Sequence, residues 1–192
     1  MNLHQWLADR GIDASSRGAH VLFLAEMSAH PELRARLEFH DQPYRLLWKL
    51  EAQSALEQHA PCLFQAHAES AFGHWLGSTI STFSLTVLLA RDDIDAIASR
   101  LRRFTKFQEG DSRYYLRLGD PAALRLYIDS IAYAPEVLTR LFGHKGVEAF
   151  HLHAPSVALS RQVAPIFEQG WDHPGRDGYL LWTDAPRESG QT

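Results

Sequence analysis

His144, His151 and His153, followed by Asp172 and His173, are the residues in this chain that come nearest to a metal site. His151 and His153 form a His-x-His pair, and on a strand both imidazoles point to the same face, as a metal requires. No cysteine or glutamate completes a recognisable set, and the separation from His153 to Asp172 is unconstrained. Scattered surface histidines are the competing reading, and a metal-dependent enzyme built on this cluster stands as one alternative. Nucleophilic and nucleotide chemistry have less to start from. Gly-x-Ser-x-Gly, Gly-x-Gly-x-x-Gly, the Gly-Lys-Ser/Thr loop and His-Glu-x-x-His are all absent. No catalytic, cofactor-binding or metal-ligating residue is therefore assigned. The single Cys62, within Pro61-Cys62-Leu63-Phe64, excludes an internal disulfide and reads as a small buried hydrophobe.

Charge and caps give sharper expectations. Asp120-Pro121 is a helix start: the Asp side chain accepts from a free backbone N–H, and Pro at the first helical position loses no bond. Arg117 lies three residues earlier, on the face opposite Leu116 and Leu118. Buried or half-buried there, it needs a carboxylate partner, which Glu26 or Asp120 can supply; direct contact with a partner is the other role open to it. Aromatics are numerous. Phe72 and Trp75 fall at core spacing with Leu76, whereas Trp171 and Trp182 lie in a weakly patterned segment too short to bury them easily, and large exposed rings anchor interfaces.

The elements that would position these groups alternate irregularly. Residues 2–10 predict a short helix with Leu3, Trp6 and Leu7 on one side. His20 to Met27 is nearly all apolar, the pattern of a strand covered on both faces. A turn at His30-Pro31 leads to a helix over 32–38; Tyr44–Leu50 is strand or helix, and Ser54–His59 one or two helical turns. Pro61–Ala66 and Thr82–Ala90 predict strands, with a helix over 68–76 between them. The clearest helix is 92–104, where Ile94, Ile97, Leu101 and Phe104 make one stripe. A hairpin over 105–118 follows, turning at Glu109-Gly110-Asp111, then helices from Pro121 to about Ile131 and from Pro135 to Phe142. Gly146–His153 and Gly178–Thr183 are weaker strand candidates. The expected fold is α/β (α+β), a central mixed sheet flanked by helices, in three stretches: a lead segment over 1–18, the main domain over 19–146 and a short C-terminal lobe over 147–192.

Composition narrows the partners. Apolar residues are 45% and charged residues 22%, which sustains a core, and the net charge of −4 with no Lys/Arg block argues against nucleic acid. No apolar run reaches the length that crosses a bilayer, and the N-terminus lacks the pattern of a secretory signal, so a cytoplasmic protein with no membrane partner is expected.

Four segments, in order, look familiar: Leu22-Phe23-Leu24-Ala25-Glu26-Met27 with Pro31-Glu32-Leu33; Leu56 to Phe64 through Ala60-Pro61; Ile94 to Phe104; and Leu116-Arg117-Leu118-Gly119-Asp120-Pro121. The helix ending Leu138-Thr139-Arg140-Leu141-Phe142-Gly143 also fits. On these segments the stretch from Val21 to Phe150 resembles the adaptor (chaperone) family of the bacterial type VI secretion system, known as Tap or TEC proteins (domain of unknown function 4123). The last segment is similar to the family's aromatic-Arg-aromatic-Tyr-Asp-Pro signature, with leucines for the aromatics and Gly119 for the tyrosine; Arg100 stands where histidine is common. Many members carry a longer C-terminal lobe.

The resemblance implies a protein with no chemistry or cofactor of its own that binds a toxic effector and helps load it onto a VgrG-type spike. An apolar groove, built partly from the region after Asp120, is expected to hold an amphipathic helix of the effector. Arg100, Arg103, Arg117, Phe142, Trp171 and Trp182 are the candidate partner contacts. Glu26, Pro61, Arg117, Asp120 and Pro121 form the signature and are expected to be structural. A toxin-binding immunity protein is the other alternative.

Overall fold

The structure, a computed structural model, describes residues 2–12, 18–51, 54–144, 146–168 and 172–185. Ten strands are described: β1 (His20–Glu26), β2 (Tyr44–Leu46), β3 (Pro61–Gln65), β4 (Leu85–Ala90), β5 (Lys106–Glu109), β6 (Ser112–Tyr115), β7 (Val147–Ala154), β8 (Leu159–Pro165), β9 (Arg176–Asp177) and β10 (Leu180–Asp184). Six α-helices accompany them: α1 (Leu3–Ala8), α2 (Leu33–Phe39), α3 (Ala71–Thr79), α4 (Ile94–Leu101), α5 (Pro121–Ser130) and α6 (Pro135–Phe142). Eight strands form one sheet in the order β2-β3-β1-β4-β7-β8-β10-β9, while β5 and β6 pair only with each other.

The α+β class holds. The pairing, however, is antiparallel at every described contact, where a mixed sheet was expected. The C-terminal stretch also differs from expectation. β7 pairs with β4 in the middle of the sheet and β8, β10 and β9 continue it, so these strands complete the main sheet where a separate C-terminal lobe was expected.

The apolar run of β1 explains the layering. It lies between β3 and β4, with Phe23 opposite both Phe64 and Val87. Leu22 and Leu24 face one layer, packed with α4, α5 and α6; Phe23 and Ala25 face the other, packed with α1, α2 and α3. Alternation puts successive side chains on opposite faces, so a strand with helices on both sides is apolar throughout. The helices before β4 thus cover one face, and the 91–146 excursion between β4 and β7 covers the other. Among the described residues no helix is long and apolar enough to cross a membrane.

The His-x-His pair belongs to this core. His151 and His153 share one face of β7 and are buried, His153 edge-on to Trp6 at 5.2 Å between ring centres. Among the described residues no three His, Cys, Asp or Glu side chains come together as a metal site needs. Cys62 is buried too, and burial pushes its thiol pKa up, consistent with a packing role.

Burial lowers the pKa of His151 from its ordinary 6.5 to about 4. The unfolded chain therefore takes up this proton first: the contribution to stability is complete above pH 6.5 and is lost as pH falls toward 4. Between pH 7 and pH 5 the loss is about 2 kcal/mol. Urea midpoints measured across this range should show it in the wild type, and His151→Gln should remove that part of the slope. An unchanged slope in the variant would assign the pH dependence elsewhere.

Candidate functional site

The five signature residues converge at the C-terminal end of β1. Pro61, whose missing N–H suits the first residue of a strand, pairs directly opposite Glu26. Glu26 accepts two hydrogen bonds from Arg117, from Nε at 2.8 Å and from Nη2 at 2.7 Å, and Nη1 of Arg117 lies 3.5 Å from Asp120. Asp120 caps α5, accepting from the N–H of Ala122 at 2.9 Å and of Ala123 at 3.4 Å, with Pro121 as the first helical residue. Such a cap contributes about 1 kcal/mol.

Both carboxylates that the sequence left open thus serve Arg117, but the burial is reversed. The Arg117 side chain is 60% exposed, and Glu26, at 10%, is the group withdrawn from water. Hydrogen bonds and the charge of Glu26 raise the pKa of Arg117, so the guanidinium stays charged. Gly119 completes the arrangement: a Cβ there would lie 2.5 Å from the carbonyl carbon of Ala25 and from the nitrogen of Glu26. Only glycine lets the 116–120 loop lie this close on β1. A polar cleft of about 380 Å³ opens beside the cluster, lined also by Ser28, Ser84 and Ser156.

The cluster fixes where α5 starts, and α5 presents two apolar stripes. Leu124 and Ile128 are buried against the sheet, as one stripe of an amphipathic helix should be. Ala123, Leu126 and Tyr127 form a second at i, i+3, i+4 spacing, and it faces outward. Leu126 is 70% exposed. Phe104, Phe107 and Leu116 stand across from this stripe and close a recess of about 590 Å³. A second recess of about 450 Å³ shares Phe104 and Tyr127 and continues along Ile131 to Val137 on α6. Together they make an open apolar groove. Arg103 and Lys106 line the first recess, Arg103 and Arg140 the second.

The hairpin supplies the outer wall. Phe107 and Tyr114 stack at 4.9 Å on one side of it, while Tyr115 packs on Trp48 at 4.7 Å on the other. It joins no helix-covered sheet, so its aromatics stay half in water. β6 ends at Tyr115; Leu116 enters the groove and Leu118 the core, where continuous alternation to Leu118 was expected.

The candidate partner contacts separate accordingly. Arg103 lines the groove and Arg117 sits in the signature cluster. Arg100 is structural: it bonds Asp92 and donates to the carbonyl of Phe142 at 3.4 Å, a cation at the electronegative end of α6. Phe142 is fully buried and Trp182 nearly so, because β10 carries Trp182 onto the helix-covered face beside Val163, with Arg161 over its ring at 5.1 Å. Neither ring offers a surface. Trp171 lies outside the described residues. Lys106, Phe107, Leu126, Tyr127 and Arg140 were not singled out, although Leu126 and Tyr127 carry a signal: both are large and off the stripe of Leu124 and Ile128.

The profile of DUF4123, a domain of unknown function, matches residues 22–136. The chain belongs to that family. The DUF4123 match begins in β1 and ends in the first turn of α6, so it takes in the whole signature cluster and the full lining of the larger recess. Neither among curated proteins nor among solved structures does anything match the chain.

Proposed function

We propose that this DUF4123 protein is a type VI secretion adaptor: it binds an effector in the cytoplasm, covers an aggregation-prone segment and hands it to the VgrG-type spike. It does no chemistry of its own. The observation that carries this reading is the unpartnered apolar groove between α5 and the hairpin, with α5 set in place by the signature cluster. A globular chain of this size does not need to leave Leu126 and Phe107 exposed in one recess beside the half-buried Tyr127, and contiguous apolar surface of this kind fits a protein partner. An amphipathic helix laid in the groove would bury the second stripe of α5 as a neighbouring helix would. The family resemblance of the signature segment supports the same reading.

The test is co-purification with a candidate type VI effector, for which any toxin found encoded next to this chain would serve. Leu126→Asp, at an exposed position, should leave the melting temperature unchanged and lower toxin capture more than tenfold, since a charge then faces the apolar helix. Toxin capture unaffected by Leu126→Asp and by Phe107→Asp would overturn the reading. An adaptor also raises toxin secretion without protecting a target cell; protection would favour the immunity alternative.

A further inference from the structure

We infer that the segment held in the groove is an acidic amphipathic helix, its apolar stripe flanked by Asp and Glu; this rests on the adaptor reading of the same groove. Charge pairing across the molecule carries the inference. The chain has 19 Lys and Arg against 23 Asp and Glu, so carboxylates are in excess. Eight arginines across the fold, from Arg34 to Arg161, each hold a carboxylate at 3.5 Å or less. The three cations lining the groove hold none among the described residues. Arg103 and Arg140 are exposed there, and Lys106 lies over the ring of Tyr115 at 5.0 Å.

These cations come from three separate elements: the 3-10 turn at 102–104, β5 and α6. They converge on both recesses of one groove, while acidic side chains elsewhere are drawn to other arginines. Cations beside an apolar floor, without a carboxylate partner among the described residues, are complementary to a helix with carboxylates along the edges of its stripe. Single-stranded nucleic acid, the other polyanion that aromatic and basic groups attract, fits less well. Beside the rings of Phe104, Phe107 and Tyr127, the larger part of the apolar lining is aliphatic, from Leu116, Ala123, Leu126, Ile131 and Val137, where a run of bases would need successive stacking faces.

The experiment uses the full chain and three fluorescent peptides of about 18 residues, each with a Leu/Phe stripe at i, i+3, i+4, i+7 spacing. Their flanks are Glu, Gln or Lys. Fluorescence anisotropy should show the Glu peptide binding about tenfold tighter than the Gln peptide at low salt, with the difference shrinking at about 0.5 M NaCl. The net charge of −4 repels the Glu peptide, so the preference cannot come from the molecule as a whole. The triple variant Arg103→Glu, Lys106→Glu, Arg140→Glu should reverse the order in favour of the Lys peptide. Equal binding of the Glu and Gln peptides would overturn the acidic partner and leave the groove reading standing. No binding of any peptide would overturn both. An oligo-dT strand that competes with the Glu peptide would overturn the inference in favour of nucleic acid.

Discussion

Phe142→Ala is expected to destabilise this protein by about 3–5 kcal/mol, the cost of emptying a large aromatic site in a packed core. The ring closes the end of α6, is fully buried, and meets Phe150 of β7 edge to face at 5.0 Å between centres. Its carbonyl receives Arg100 from α4, so three elements join at this residue: α4, α6 and the central strand β7. Removing the ring leaves a void that helix and sheet cannot both move to fill. For a chain of this length the melting temperature should fall by about 10 °C. The result separates two roles for the same residue. A partner contact at Phe142 would lower toxin capture with an unchanged melting temperature; a core position lowers the melting temperature first. A melt within 2 °C of wild type, on the order of half a kcal/mol, would exclude the core role.

Phe142 also marks what the sequence could and could not convey. The helix from Pro135 to Phe142 was read correctly, but a helix assignment does not say whether its last ring meets the sheet or a foreign chain. The two-faced burial of β1 was legible because a strand with helices on both sides loses its alternation. The caps at Asp120 and Pro121 were legible because they are local. β8 was not: in Leu159–Pro165 only Leu159 and Val163 are buried, and the strand starts after Ala158 at a φ of 52°, a turn that no glycine announces. The groove was half legible. The region after Asp120 was expected to build it, but the hairpin over 105–118 was read only as a hairpin, and only the topology shows that it stands apart from the main sheet. Ion pairs were the least legible part. Arg117 and Glu26 are 91 residues apart, and which of them is shielded from water depends on where the loop lies.

Gly119→Tyr places the residue of the family signature back at its position, and substitutions toward a family consensus commonly stabilise. Here the opposite is expected. A Cβ at residue 119 would meet the backbone of Ala25 and Glu26 at 2.5–2.7 Å, and that backbone is paired to Cys62 and Pro61 of β3, directly after the stretch of β1 that β4 also holds. Strand β1 cannot yield, so the 116–120 loop must lift. Lifting it draws Arg117 away from Glu26, leaving a largely buried carboxylate without its two hydrogen bonds, and shifts Asp120 from the start of α5. Overpacking together with the lost pair should cost about 2–3 kcal/mol, a fall of about 6–10 °C in melting temperature. The same asymmetry of burial predicts the order of two further variants. Arg117→Met strands Glu26 and should destabilise more than Glu26→Gln, which leaves an arginine already 60% exposed to water. Because α5 forms one wall of the groove, Gly119→Tyr should also weaken capture of the partner at temperatures where the protein is still folded. A melting temperature equal to or above wild type would mean that the loop is free to move off β1, and the signature cluster would then not be what holds the groove in shape.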